Sequence, residues 1–153
     1  MSAPNVARAF AERVGRRELG QDLRLVYRVV GGMPSQRVDY TIAVDAVGGA
    51  SVTAYDARVS RIRQERAIPV ERLDVVRLFE QACAGLHSLV PSSQAEFLPD
   101  ALVGSLTIEV GGQEETFYFT PEEEQRTRLH GRVAPSMEQV LRQLWTMAAE
   151  VSR

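Results

Sequence analysis

Two neighbouring segments, residues 23–30 and 38–44, place apolar side chains at every second position, and this pattern constrains the fold most. A side-chain period of two is that of a β-strand with one buried face. A loop rich in glycine, with one proline, separates the two segments. The sequence therefore predicts two consecutive antiparallel strands.

Gly48-Gly49 follows the second segment and is a signal for a two-residue hairpin turn. A third strand is expected from about Ser51 to Ile62. A two-residue turn would place Val44 opposite Thr53 and Tyr40 opposite Ala57. It would also align charges across the strands, with Arg28 opposite Asp39 and Asp39 opposite Arg58, and opposite charges at facing positions stabilise a sheet. The expected unit is a three-stranded meander.

Helical periodicity appears at three places. Near the N-terminus, a short stripe follows a potential N-cap at Asn5, and residues 1–20 form either a docked helix or a frayed arm. A second helix follows Pro69, which suits a first helical turn. A third begins at Pro135-Ser136. The apolar positions of the three stripes are Val6, Phe10 and Val14; Val75, Leu78, Phe79, Ala82 and Leu86; and Met137, Val140, Leu141, Leu144, Ala148 and Val151.

A second hairpin is expected between the last two helices, around Gly111-Gly112. A two-residue turn pairs Leu106 with Phe117, which is favourable. It also sets Glu109 opposite Glu114, which is unfavourable, so the turn length stays open. The stretch from Thr120 to Glu123 reads as a capping box that starts a short helix or a helical turn.

The predicted fold class is α+β, with the order α-β-β-β-α-β-β-α. Its antiparallel sheet is built from a three-stranded meander and a C-terminal hairpin, with the helices packed on one face. Residues 21–153 form a single domain, preceded by the N-terminal helix or arm of residues 1–20.

Composition excludes several functions. The 153 residues contain no lysine, which rules out Schiff-base catalysis and a P-loop. The net charge of -2 argues against a general polyanion binder. One cysteine, Cys83, permits no internal disulfide, and the N-terminus has no apolar signal region. We expect a cytoplasmic protein without a cofactor.

Few side chains are candidates for chemistry. His87 and His130 are the two histidines, and each is expected to cap a helix end or lie on the surface rather than act as a base. Cys83 falls in an apolar helical stripe and is expected to be a buried, inert thiol. The run of Glu122, Glu123 and Glu124 suits a helix N-terminus better than a metal site.

The densest basic run consists of Arg58, Arg61, Arg63 and Arg66, and it is the candidate partner-binding surface. A solvated strand end is the simplest interpretation of this run. Residues 109–124, in contrast, contain six acids and no base. Segregated charge of this kind favours a protein partner, self-association, or contact between the two groups. Nucleic-acid binding by the arginines is less favoured, because exposed aromatic residues do not alternate with them.

The predicted element order is similar to that of type III secretion chaperones, small dimeric proteins that bind segments of other proteins. The hairpin from Leu102 to Phe119, with a helix ending in Leu144-Trp145, resembles the C-terminal half of small bacterial inhibitors of thermolysin-type metalloproteases. Both resemblances imply protein binding.

We therefore expect a non-enzymatic protein-binding module, chaperone-like or inhibitor-like, in a bacterial cytoplasm. A homodimer is expected, because the first and last helices carry more apolar surface than one sheet face needs. The alternatives are an enzyme whose site assembles from distant residues around His87 or His130, and nucleic-acid binding through the Arg58–Arg66 run.

Overall fold

A computed structural model describes residues 5–31, 38–56, 61–69, 72–89, 101–121 and 133–151. Within these ranges the chain forms three α-helices and six β-strands. The helices are α1 (Val6–Gly15), α2 (Arg72–Gly85) and α3 (Pro135–Val151). The strands are β1 (Leu23–Gly31), β2 (Val38–Asp45), β3 (Gly49–Asp56), β4 (Arg61–Pro69), β5 (Leu102–Val110) and β6 (Gln113–Phe119). A short 3₁₀ helix, Leu86–Ser88, follows α2.

The six strands form one antiparallel sheet in the order β4-β3-β2-β1-β5-β6. The predicted α+β class is confirmed, with helices on one face and hairpin strands in two groups. Strand β1 lies between the groups, since it pairs with β2 on one side and β5 on the other. Its alternate side chains Leu23, Leu25, Tyr27 and Val29 are at most 1% exposed and form the centre of the core.

Helix α1 packs against the sheet and α2, and residues 1–4 of the predicted helix or arm lie outside the described residues. The Asn5 side chain accepts a hydrogen bond from the Arg8 backbone N–H at 2.9 Å and caps the helix as predicted. Val6, Phe10 and Val14 are all buried in the common core. The Phe10 ring stacks on Phe79 of α2 with 5.7 Å between centroids.

An ion pair fastens the end of α1 to the start of β1. Both terminal nitrogens of Arg13 donate to the Asp22 carboxylate at 2.9 Å, and the Arg13 Nε donates to the Glu18 carbonyl at 2.8 Å. Hydrogen bonding from Arg13 holds the pKa of Asp22 below its ordinary value of 3.8. The Asp22 carbonyl accepts from the Gly111 N–H, so the same short segment also holds the β5–β6 turn.

Helices α2 and α3 approach closely at Gly85. A Cβ on this glycine would lie 2.6 Å from the Cβ of Met137 and 2.7 Å from its backbone nitrogen, so a larger residue would force the helices apart. Ser88 completes the junction. Its hydroxyl donates to the Gly85 carbonyl and accepts from the Ala134 N–H.

The predicted register of the β2–β3 hairpin is wrong. Tyr40 lies opposite Ala54, not Ala57, and Val44 lies opposite Ala50. The loop has three residues, Ala46 to Gly48. Its last residue, Gly48, adopts a φ of +103°, and three-residue hairpin loops typically have a residue of positive φ at this position. The Asp45 carboxylate also accepts hydrogen bonds from the Val47 and Gly49 N–H groups.

This loop shifts β3 by three positions, and an odd shift exchanges the two faces of a strand. Ala50, Val52 and Ala54 are therefore buried, whereas the predicted register placed Thr53 opposite Val44.

The single third strand predicted from Ser51 to Ile62 is two strands. Strand β3 ends at Asp56, and β4 returns antiparallel to it from Arg61, so the meander has four strands. Pro69 is the last residue of β4 and not part of a helical first turn. No glycine or proline separates Asp56 from Arg61 in the sequence, so the usual turn signal is missing.

The β5–β6 turn has two residues, which settles the length left open by the sequence. Gly111 and Gly112 both adopt positive φ, +55° and +85°, as a tight hairpin turn requires. Leu106 pairs with Phe117, and Glu109 does lie opposite Glu114. Arg24 of β1 offsets that repulsion, since its guanidinium contacts the Glu109 carboxylate at 3.3 Å.

Helix α3 contributes Leu144 to the core with no exposed surface. Truncation in Leu144→Ala is expected to lower the free energy of unfolding by about 2–5 kcal/mol, because it removes buried methyl groups and leaves a cavity. Urea unfolding monitored by circular dichroism measures this loss. The neighbouring Gln143→Ala, at an exposed position of the same helix, is the control and should change stability little. A loss below about 1 kcal/mol for Leu144→Ala would contradict the packing.

The Arg13–Asp22 pair predicts a pH-dependent stability. A carboxyl group whose pKa is lowered on folding stabilises the protein above its unfolded pKa, and this contribution disappears as pH falls through the folded pKa. Asp22→Asn should therefore lower the melting temperature near pH 7, and the difference from wild type should shrink below about pH 4. Glu12→Gln is the control, because its partner Arg8 is 78% exposed. A difference that is constant from pH 7 to pH 2 would contradict the ion pair.

Candidate functional site

Three of the four arginines singled out in the sequence lie on β4, an outermost strand of the sheet. Arg61 lies opposite Asp56 of β3, and Arg66 lies opposite Val52. Arg63 falls between the pairs on either side of a register shift. Arg58 lies outside the described residues. The structure thus aligns the basic run along one edge of the sheet, over a strand of nine residues.

The register shift in β4 is a local irregularity next to the arginines. Ala54 pairs with Gln64, but the next residue, Tyr55, pairs with Ile62. One extra residue on one strand is the pattern of a β-bulge, which bends an edge strand and interrupts its ladder. Within the described part of the chain, β4 pairs with β3 alone, so its other edge has no described partner strand.

The described acidic residues of the opposing charge group lie on β5 and β6. Glu114 and Glu115 are on β6, the other outermost strand, and Glu109 is on β5. Four strands separate β6 from β4. At about 4.8 Å per strand the two edges are about 24 Å apart. The basic and the described acidic residues therefore do not contact each other within one molecule.

The centre of the helix-free face carries balanced charge. Arg28 donates to the Asp39 carboxylate through Nε at 3.2 Å and Nη2 at 3.0 Å. The pair is diagonal, because Arg28 lies opposite Thr41 and Asp39 lies opposite Val30, which corrects the directly facing arrangement predicted from sequence. Arg24 and Glu109 form a second ion pair of this kind, between β1 and β5.

A recess of about 280 Å³ lies beside the β2–β3 loop. Its charged side chains are Arg24 and Asp45, and small residues complete the wall. Both charged groups already have partners, since Arg24 contacts Glu109 and Asp45 accepts two backbone N–H groups of its own loop. Both charged side chains of the recess are therefore already engaged in contacts of the sheet and its loop.

The candidate catalytic residues do not converge among the described residues. His87 is exposed on the 3₁₀ helix after α2, and His130 lies outside the described ranges. Cys83 is half-buried, and burial raises the pKa of its thiol, which lowers its thiolate fraction. In the parts of the chain that the structure describes, no group of three His, Cys, Asp or Glu residues is arranged to hold a metal ion.

The Tyr40 phenol on β2 is partly buried against the core. Burial raises the pKa of Tyr40 to about 12. Its ring packs edge-on against Trp145 of α3 at 6.4 Å between centroids. The phenol therefore stays protonated at neutral pH and serves to pack the sheet against the helix.

The chain matches no protein-family model, and no curated protein is similar to it in sequence. None of the described helices has both the length and the apolar character needed to span a membrane. The fold is an antiparallel sheet with helices on one face, and its distinguishing surface is the arginine-bearing edge, which we name the β4 edge and define as residues 61–69.

The β4 edge predicts a characteristic amide exchange. In a strand with one neighbour, successive N–H groups point alternately toward that neighbour and away from it. Amides of β4 should alternate between slow and fast hydrogen exchange by NMR, whereas β2, with strands on both sides, should be protected throughout. Uniform protection along β4 would mean that its outer side is covered.

Proposed function

We propose that this chain is a non-enzymatic protein-binding module of a bacterial cytoplasm and that its partner binds at the β4 edge. The observation that carries the proposal is the coincidence of three arginines with an outermost strand. A strand at the edge of a sheet offers backbone N–H and C=O groups to an extended segment of another protein. Arginine is well suited to such surfaces, since its planar guanidinium forms several hydrogen bonds at once.

The same features protect the edge from unwanted pairing. Charged side chains, a bulge and a terminal proline are devices by which natural proteins prevent edge-to-edge aggregation. The β4 edge has all three, in Arg61, Arg63, Arg66, the register shift at Ala54 and Pro69. Protection of this kind excludes partners of like charge, and it leaves the edge accessible to a partner whose charge is opposite.

The homodimer expected from the sequence stays a prediction. The apolar surface of the first and last helices, on which that expectation was based, is largely covered within one molecule. The stripe of α1 is buried in its own core, and Trp145 and Met147 of α3 pack against that core. Among the residues whose burial the structure describes, Val47 is the one large hydrophobic side chain that is markedly exposed. Self-association would therefore rely on sheet edges more than on spare apolar helix surface. Light scattering coupled to size exclusion measures it.

The two alternative functions also stay predictions. An enzyme would need residues that converge on His87 or His130, and the described residues supply no such cluster. Nucleic-acid binding would use the same arginines, so it predicts steep salt dependence and binding to a mixed-sequence oligonucleotide. The protein-binding proposal predicts no binding to the oligonucleotide.

Charge reversal on β4 tests the proposal. The experiment compares three immobilised proteins: wild type, the triple variant Arg61→Glu/Arg63→Glu/Arg66→Glu, and the single variant Arg77→Glu. Each is incubated with an extract of the source organism, and the bound proteins are quantified by mass spectrometry. Arg77 is exposed on α2 rather than on the sheet edge, and it controls for the effect of reversing an exposed charge. We expect at least one protein that wild type and Arg77→Glu retain and the triple variant loses.

Two results would contradict the proposal. One is a bound protein set that the triple variant keeps unchanged, which would place binding elsewhere on the molecule. The other is the absence of any specifically retained protein. The circular dichroism spectrum of the triple variant must match that of wild type, because an unfolded variant would also lose its binding partners.

A further inference from the structure

We infer that the partner recognised at the β4 edge is an extended, acidic protein segment that adds to the sheet as a seventh strand. This inference rests on the proposed binding at that edge and names the chemistry of the segment. The described sheet has six strands and is antiparallel throughout, so its outermost strand already has the geometry that an added strand requires.

The length of β4 is sufficient for strand addition. It extends over nine residues, from Arg61 to Pro69. Strands in globular proteins commonly have about five or six residues. An added segment of that length would find backbone partners on β4 even if the bulge at one end and the proline at the other remove some of them.

The charge of β4 selects an acidic segment. The strand carries three arginines and one glutamate, a net charge of +2. Arg61 lies opposite Asp56 of β3, a residue of opposite charge. Arg66 lies opposite Val52, so β3 has no charged residue at that facing position. Carboxylates on a neighbouring outer strand would place opposite charges at positions facing the arginines, which stabilises a sheet.

A second copy of this chain is a poorer occupant of the edge. Two copies of β4 side by side would bring net charges of +2 together, and like charges across a sheet are destabilising. The acidic strand β6 of another copy has the right sign, but its acids are confined to Glu114 and Glu115 at its first residues. In a straight continuation of the sheet, those residues fall level with Ile68 and Pro69 rather than with the arginines.

Synthetic peptides test the inference directly. The probe is a capped peptide of about eight residues in which Glu and Val alternate, and the matched peptides replace Glu with Ser or with Arg. Binding to the full-length protein is measured by fluorescence anisotropy. We expect the Glu peptide to bind at least about tenfold more tightly than either matched peptide, and the Arg61→Glu/Arg63→Glu/Arg66→Glu variant to lose that preference. Arg77→Glu should keep it.

Backbone methylation separates strand addition from simple charge attraction. Two versions of the Glu peptide carry N-methyl groups on alternate residues, in opposite phases. An added strand turns only one of its two sets of N–H groups toward β4. One version should therefore lose at least about tenfold in affinity, while the other binds as the parent peptide does.

Three results would overturn the inference. Equal binding of both methylated versions would mean that charge alone attracts the peptide. No preference for the Glu peptide, or no binding up to millimolar concentration, would mean that the segment is not acidic. A concentration-dependent increase in the mass of the protein alone, abolished by the triple variant, would assign the edge to a second copy. In each case a host protein lost only by the triple variant would still support the proposed function.

Discussion

The antiparallel pairing of β1 with β5 holds this structure together. Strand β1 comes early in the chain and β5 late, and their pairing joins the N-terminal meander to the C-terminal hairpin in one sheet. Every helix then packs on the face whose centre is formed by Leu23, Leu25, Tyr27 and Val29. Without this long-range pairing, each group of strands would have one unpaired edge in the middle of the core, where backbone groups cannot be left without hydrogen bonds.

The same pairing decides where the charges lie. It places β4 and β6 at opposite ends of the sheet and separates the arginines of one strand from the glutamates of the other. Between them, Arg28–Asp39 and Arg24–Glu109 neutralise each other across neighbouring strands. The positive and the negative outermost strands are therefore separated by strands on which opposite charges are paired.

Sequence periodicity predicted most of the elements and much of the core. The stripes of α1, α2 and α3 are buried at nearly every predicted and described position, because apolar residues at a helical repeat share one face of the helix, and that face is stabilised by leaving water. The two-residue turn at Gly111-Gly112 was also predictable. The sequence left its length open because a two-residue turn sets Glu109 opposite Glu114. Arg24, which offsets this repulsion, lies on the neighbouring strand β1, and only the folded sheet brings it beside Glu109.

The two wrong predictions, the register of the β2–β3 hairpin and the single third strand, both concern turns whose length the sequence does not reveal. Gly48-Gly49 suggested a two-residue turn. The Asp45 side chain instead stabilises a three-residue loop by accepting hydrogen bonds from the Val47 and Gly49 N–H groups. The spacing of apolar residues does not distinguish these two turn lengths. The split of one expected strand into β3 and β4 had no glycine or proline to reveal it. Local patterns report which residues prefer a strand, whereas the number of residues in an irregular turn depends on hydrogen bonds within the folded loop.

By itself, the sequence determined the class of fold, the helices with their buried faces, and the presence of a basic run, because these depend on local periodicity and composition. Tertiary structure alone decided that Arg61, Arg63 and Arg66 lie on an outermost strand and that the described acids lie at the opposite end of the sheet. Strand order is set by pairings between distant segments, and the energy of each pairing depends on a whole packed core rather than on the residues that flank it.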